Sequence, residues 1–359
     1  MNVFVSEYLC SGACDLSQED ASLLTEGTAM LDAVVTDLLA IPDCTVTVCV
    51  QESLPLVSDV FQQAEHSQRL QIVRVTKPEQ EQADFDRACQ NADVVWVIAP
   101  EFDSLLVSRT ERALQSDARV VGPDLDAIQL TADKWRLFEF LSERELPTIP
   151  TVLMQDELTA SEAAFPCLIK HRFGAGGQGL EFLTKAEDWL KRRPAFGEQR
   201  SDYIMQPFLA GRSFSTVVLA DIARREIFPP GEQRINWEPN FAYQGGAIPV
   251  KLEPDVVDSI HKLISRVCEQ LPGLVGYVGF DILLPDADPK KPLIVEINPR
   301  LTTSYVGYRQ LTLDNLAERI VHGNAGFPSL KWELERDIQF LPDGSVFLNQ
   351  SRSLKEKKH

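Results

Sequence analysis

The sequence predicts a fold class of α/β plus α+β: an α/β lobe over residues 1–125, then α+β lobes. Three observations carry this. In the first third, short apolar runs alternate with helical stripes, the pattern of a parallel sheet with helices on its faces. A proline-marked break near Pro123 ends that rhythm. Beyond it, runs of strand pattern are joined by glycine-rich loops and short turns.

MNVFVSEY opens as a strand, with Val3 and Val5 alternating before a Ser-Gly loop. Residues 28–39 place Ala29, Met30, Ala33, Val34 and Leu38 on one helical stripe. Residues 44–50, 72–75, 93–100 and 119–123 read as four further strands, that at 93–100 nearly all apolar. A helix is expected over 132–145, carrying Trp135, Phe138 and Leu141, with Pro147 and Pro150 ending the segment. Residues 165–172 read as a strand of a central lobe, 126–206, and 201–211 as a strand running from that lobe into a short linker. FSTVVLAD (214–221) starts a new sheet in a C-terminal lobe, 207–335. An amphipathic helix follows at 256–271, then strands at 276–284 and 292–298 joined by the turn-rich PDADPKKP. Residues 336–359, ending SLKEKKH, are expected to be a tail.

The chain has 359 residues, enough for two or three lobes with real cores. Its formal charge of −18 argues against non-specific binding to nucleic acid or anionic membranes. The first basic residue is Arg69, which does not suit a secretory signal, and no apolar run approaches a membrane span. The seven cysteines, 10, 14, 44, 49, 89, 167 and 268, have no zinc-site spacing. Reduced thiols and a cytoplasmic location are the expectation.

The chemistry concentrates in VEINPR, residues 295–300. Side chains alternate faces along a strand, so Glu296, Asn298 and Arg300 share one face. The preceding strand carries Asp281, and the short linker permits a hairpin that sets Asp281 across from them. Buried carboxylates repel one another and cost several kcal/mol of desolvation, on the order of the effective penalty per buried ion. Hard oxygen donors with no His or Cys nearby suit Mg²⁺ or Mn²⁺, so Asp281, Glu296 and Asn298 predict a metal–nucleotide site. Arg300 adds a fork for phosphate or carboxylate. The alternative is a surface hairpin with solvated charges.

KHRFGAGGQG, residues 170–179, ends a strand with Lys170 and continues through Gly174, Gly176, Gly177 and Gly179. Such a loop can aim backbone N–H groups at phosphate, with Lys170 as a point charge, although a flexible surface hairpin would use the same glycines. ADKW sets Lys134 at a helix start. In YIMQPFLAG, Pro207 interrupts a strand where a linker can meet a flat ligand, through the Pro207 carbonyl and the Leu209 N–H. Glu7, Ser11 and Gly12 follow the first strand at the carboxyl edge of the parallel sheet, where ligands bind, and Glu101 lies on the same edge. An ordinary strand–helix turn is the alternative for all of them.

Taken in order, these elements resemble the ATP-grasp superfamily over roughly residues 125–325. The strings SEYLCSGAC, VIAPEFDSLL, YQGGAIP, LVGYVGFDILL and EINPRLTTSYVGY are similar to the tyramine–L-glutamate ligases of methanofuran biosynthesis and their bacterial relatives. The resemblance implies an N-terminal α/β pre-ATP-grasp lobe followed by a two-lobed ATP-grasp clamp. It implies ATP and Mg²⁺ (or Mn²⁺), small-molecule amino acid and amine substrates, and a cytoplasmic ligase whose default assembly is a homodimer. Lys134 and Lys170 would hold phosphates, the loop from Gly174 to Gly179 would close over them, and Gln206, Pro207 and Leu209 would border adenine. Asp281, Glu296 and Asn298 would bind the metal. Arg300, with Thr302, Thr303 and Ser304, would face the acyl-phosphate or substrate carboxylate.

The sequence departs from that pattern in places. Gln206 replaces a common Glu, and Ser213 stands where many members place a ribose-binding Glu. Gly279 occupies a position where some members carry an arginine; Arg300, or Arg234 in EQRIN, would then take that role. The implied reaction activates an amino-acid carboxylate, glutamate, and joins it to an amine such as tyramine or tyrosine. A ligase for another amino acid or peptide, and a non-catalytic nucleotide sensor, are the alternatives.

Overall fold

The computed structural model describes residues 1–14, 21–55, 58–64, 68–154, 164–174, 179–221, 223–236 and 242–349. Its first sheet joins β1 (Asn2–Glu7), β2 (Thr45–Gln51), β3 (Leu70–Val75), β4 (Val94–Ile98) and β5 (Arg119–Val121), all parallel, in the order β3-β2-β1-β4-β5. Helices α1 (Ala21–Ala40), α2 (Asp59–Ala64), α3 (Pro78–Asn91) and α4 (Leu105–Ala113) connect these strands. The apolar run in β4 has a direct cause. Val94, Trp96 and Ile98 face one core, while Val95 and Val97 face another.

The helix expected over 132–145 is two helices, α5 (Leu125–Ala132) and α6 (Lys134–Glu143). Asp133 separates them with extended backbone and accepts the N–H groups of Trp135 and Arg136. A short acid at such a place competes for backbone donors and starts a helix rather than continuing one. Ala127, Leu137, Leu141 and Leu146 pack with Phe214, Ile264 and Ile294. Physically, this stretch belongs to the large third sheet, although the sequence reading placed it in a central lobe starting at 126.

The second sheet, β6 (Val152–Leu153), β7 (Cys167–His171), β8 (Glu181–Leu183) and β9 (Tyr203–Pro207), runs β6-β9-β7-β8. With α7 (Ala186–Arg192) it encloses a small core of its own around Ile169, Trp189 and Met205.

The third sheet is antiparallel. Its strands are β10 (Gly211–Ala220), β11 (Arg225–Ile227), β12 (Gly231–Asn236), β13 (Ala242–Ile248), β14 (Gly276–Pro285), β15 (Leu293–Asn298), β16 (Asp337–Phe340) and β17 (Val346–Asn349). They run β15-β14-β10-β12-β13-β16-β17, with β11 on β10. Helices α8 (Pro254–Gln270), α9 (Tyr305–Leu311) and α10 (Leu316–His322) complete the lobe. β16 and β17 correct the expectation of a tail from residue 336. Ile338 and Phe340 are buried, and Gly246 and Gly307 leave room for the Phe340 ring. A Cβ on either would come within 2.8 Å and 2.7 Å of it, respectively. The string SLKEKKH lies outside the described residues.

The first and third sheets share one core, in which Val3, Leu38 and Trp96 meet Tyr277, Tyr305 and Phe340. Asp37 on α1 pairs with Arg309 and accepts the Tyr305 hydroxyl at 2.6 Å. This seam brings N-terminal side chains up to the hairpin that carries Asp281. Among the described residues, no helix is long and apolar enough to cross a membrane. None of the seven cysteines is joined in a disulfide.

Candidate active site

The predicted hairpin forms. β14 and β15 pair antiparallel, with Asp281 opposite Glu296 and Gly279 opposite Asn298. Two carboxylates therefore face each other on a mostly buried sheet. Asp281 accepts the Gln233 carboxamide N–H at 2.8 Å and that of Asn298 at 3.3 Å. Burial, and next the Glu296 carboxylate, hold the Asp281 carboxyl above its ordinary range. This crowding of like charge is the observation that tests a metal here. Among the described residues no group of three His, Cys, Asp or Glu side chains stands ready to hold an ion. The set is two carboxylates and one carboxamide, hard donors that fit Mg²⁺ or Mn²⁺ when phosphate oxygens complete the shell.

Two lysines face this negative pair. Lys134 Nζ lies 3.5 Å from Glu296 and donates to the Gly174 carbonyl. Lys170 at the end of β7 lines a cavity of about 280 Å³ together with Asp281, Glu296 and Asn298. The Lys170 ammonium is lowered to about 8, chiefly by burial, with Lys134 acting in the same direction and Glu296 and Asp281 opposing it. Arg172, two residues on, forks onto Asp133 with both contacts at 2.7 Å. That bond ties β7 to the start of α6 and so places both lysines on one side of the hairpin.

The Gly-rich loop is described only at its ends. The Gly174 N–H bonds the His171 carbonyl, and Gly179 has φ +66°, a left-handed conformation that suits glycine. Gly176 and Gly177 lie outside the described residues. On the linker, Gln206, Pro207 and Leu209 all line the cavity, as does Ser213. The buried Gln206 carboxamide donates to Thr151 Oγ1 at 3.0 Å. Its oxygen has no hydrogen-bond partner among the described residues.

Thr302, Thr303 and Ser304 also line the cavity. Thr302 and Ser304 share a hydrogen bond of 2.8 Å, and the Tyr277 hydroxyl touches both. Gly279 is explained here. A Cβ at 279 would sit 2.6 Å from Thr302 Cγ2, so Thr302 fills the place a longer side chain would need.

Other expectations meet a different arrangement. Arg300 lines the cavity, but its fork is taken. Nε and Nη2 bind the two Glu101 oxygens at 2.8 and 3.0 Å, and Nη1 bonds the Leu301 carbonyl. Glu101 comes from the N-terminal lobe and neutralises the guanidinium that the sequence reading left open. Arg234 is exposed on β12, while its neighbours Gln233 and Ile235 line the cavity. Glu7, Ser11 and Gly12 do not line it. Glu7 accepts the Cys10 N–H at 2.7 Å, Ser11 donates to the Tyr8 carbonyl, and Gly12 (φ +83°) packs against Val75. The turn after β1 closes on itself because its polar groups find partners inside it. Burial there raises the Glu7 carboxyl to about 7.

Two site residues had no mark in the sequence reading. Gln233 sits one residue before Arg234, and a bulge between Gln233 and Ile235 turns both toward the cavity. Glu26 on α1 also lines it, and its Oε2 accepts the Thr303 hydroxyl at 2.5 Å.

Residues 131–304 match an ATP-grasp domain, and residues 54–128 match the pre ATP-grasp 3 domain. Over 319 residues the chain is 24% identical to tyramine–L-glutamate ligase of Methanocaldococcus fervens, covering 88% of this chain and 93% of that protein. An ATP-grasp superfamily protein from Archaeoglobus fulgidus superposes with a TM-score of 0.68 at 23% identity, covering 94% of this chain and 92% of the other. N5-carboxyaminoimidazole synthetase from Staphylococcus aureus, solved with ADP, superposes with a TM-score of 0.68 at 13% identity, covering 95% and 81%. At these identities the two solved structures establish the shared fold.

Proposed function

Because the chain belongs to the ATP-grasp ligases, with a pre-ATP-grasp lobe ahead of the clamp, we propose that it activates glutamate as an acyl-phosphate and joins it to an amine such as tyramine or tyrosine, in assembly of a methanofuran-like cofactor. One observation carries the reading. A single cavity is lined by the adenine-linker residues Gln206 to Leu209, by Lys170, by Asp281, Glu296 and Asn298, and by the hydroxyls of Thr302 to Ser304. The near full-length likeness to a tyramine–L-glutamate ligase supports the choice of substrates.

A carboxylate is a poor electrophile, because its charge repels an attacking amine. Transfer of the γ-phosphoryl group of ATP turns it into an acyl-phosphate with a good leaving group. The chain's part is to position the reactants and neutralise charge. Lys134 and Lys170 hold phosphate oxygens, and Gln206, Pro207 and Leu209 border the base. Asp281, Glu296 and Asn298 would hold Mg²⁺ or Mn²⁺, which when bound would offset phosphate charge. The loop between Gly174 and Gly179 excludes water that would hydrolyse the acyl-phosphate. Thr302 and Ser304 donate to the group being activated. Arg300, neutralised by Glu101, sets the shape of that end of the cavity.

The test is Mg²⁺-dependent ADP release from ATP with L-glutamate plus tyramine or tyrosine, each omitted in turn. Release that needs both partners, with the condensed amide found by mass spectrometry, supports the proposal. ATP binding without release for any glutamate–amine pair rejects these substrates.

A further inference from the structure

We propose that Glu26 receives the ammonium group of the amine substrate and takes its first proton as the nitrogen attacks. This rests on the ligase reading above and names a residue for its second half.

Glu26 is the one residue of the first 125 that lines the cavity among the described residues. It reaches the site from α1 across the seam between the first and third sheets. Its Oε2 accepts from Thr303, in the loop that directly follows β15, while its Oε1 has no hydrogen-bond partner among the described residues. The cation best placed to neutralise it, Arg300, is already held in a two-point pair by Glu101. Lys134 and Lys170 face Asp281 and Glu296. Glu26 is thus a carboxylate without its own counter-ion, at the acyl-phosphate end of the cavity. A ligand of complementary charge is a cation, and the cationic reactant of this ligation is the amine.

The surroundings fit an amine bearing an apolar or aromatic body. Ile235 and Tyr243 line the same cavity, and Glu26 and Asp281 both act electrostatically on the Tyr243 hydroxyl. Burial raises the Glu26 carboxyl, which suits a group that must accept a proton, while Thr303 and Arg300 hold it down. The groups facing it are Thr303 by contact, and Arg300 and Tyr243 by charge. The step balances. The ammonium gives one proton to the Glu26 carboxylate, and the freed nitrogen lone pair forms the C–N bond. The C–O bond to phosphate then breaks, and the second nitrogen proton leaves with inorganic phosphate.

The experiment compares wild type with Glu26→Gln and Glu26→Asp in two assays sharing ATP and L-glutamate. One uses tyramine and measures amide. The other uses hydroxylamine, a small nucleophile uncharged at neutral pH, and measures glutamyl hydroxamate. Glu26→Gln keeps the bond from Thr303 but not the charge. The expected result is a tyramine KM raised at least about thirtyfold, with KM for ATP and the hydroxamate rate within about threefold of wild type. Glu26→Asp should recover part of the amide rate. Amide formation by Glu26→Gln at wild-type KM and rate overturns the inference, as does an equal loss in both assays. A wild type that makes hydroxamate and amide keeps the ligase reading whatever Glu26→Gln does. A wild type that makes neither overturns the ligase reading and this inference with it.

Discussion

Two buried charged clusters in this molecule have opposite logic. In the N-terminal lobe, Arg109 and Glu81 form a two-point ion pair, with Glu81 0% exposed. Ser6 accepts from the same guanidinium at 3.1 Å, which also lies 3.8 Å from the Phe85 ring centroid. Its charges cancel within the cluster. On the β14–β15 hairpin, Asp281 and Glu296 share a sign, face each other and border a cavity. The first cluster is charge-neutral without a ligand, although the buried Arg109 Nε–H has no hydrogen-bond partner among the described residues. The second gains from a ligand, and that difference separates structural from functional burial of charge better than burial alone.

The comparison can be broken most sharply by removing one acid from each cluster. Glu81→Ala leaves Arg109 buried and unpaired, so folding stability should fall by about 3–5 kcal/mol, read from denaturant titration. Glu296→Gln removes a like charge facing Asp281 but also the partner of Lys134 at 3.5 Å, so the two effects offset and apo stability should change by less than for Glu81→Ala, while turnover drops about 10²–10³-fold. Equal destabilisation by the two changes would erase the distinction.

Packing offers a smaller test. Gly279→Ala places a methyl 2.6 Å from Thr302 Cγ2. Overpacking of this kind costs about 1–3 kcal/mol. The thermal midpoint should fall, and KM for the carboxylate should rise as the 302–304 loop shifts. An unchanged KM would detach that loop from the substrate.

The smallest effect concerns pH. Lys170 titrates near 8, below the ordinary lysine range, chiefly through burial. It is charged below that pH and loses its charge above it. ATP affinity should therefore weaken as pH rises through 8, by roughly up to tenfold for each 1.4 kcal/mol of lost attraction. Calorimetric titration checks this, and Lys170→Arg should flatten the trend because guanidinium stays charged. A profile through pH 8 that is the same in both would remove Lys170 from phosphate binding.

Much of the site was legible because it is local. Asp281, Glu296 and Asn298 lie on neighbouring strands of one hairpin, so strand alternation and a short turn suffice to bring them together. The five strands of the first lobe were equally readable from apolar runs. What stayed hidden depends on partners far along the chain. Asp133 splits a helix that looked continuous because its carboxylate caps α6 and holds Arg172. Residues 337–349 looked like a tail because the glycines that receive Phe340, Gly246 and Gly307, lie elsewhere in the sequence.

By itself, then, the sequence determined the strand and helix rhythm and the facing acids, since side-chain period is a property of short segments. Only the tertiary structure decided the fate of Arg300, tied to Glu101 across 199 residues, and the entry of Glu26, bonded to Thr303 across 277. Those pairings arise because the first and third sheets bury one core between them. No local pattern encodes which carboxylate that seam brings to the cavity and which it leaves without a counter-ion.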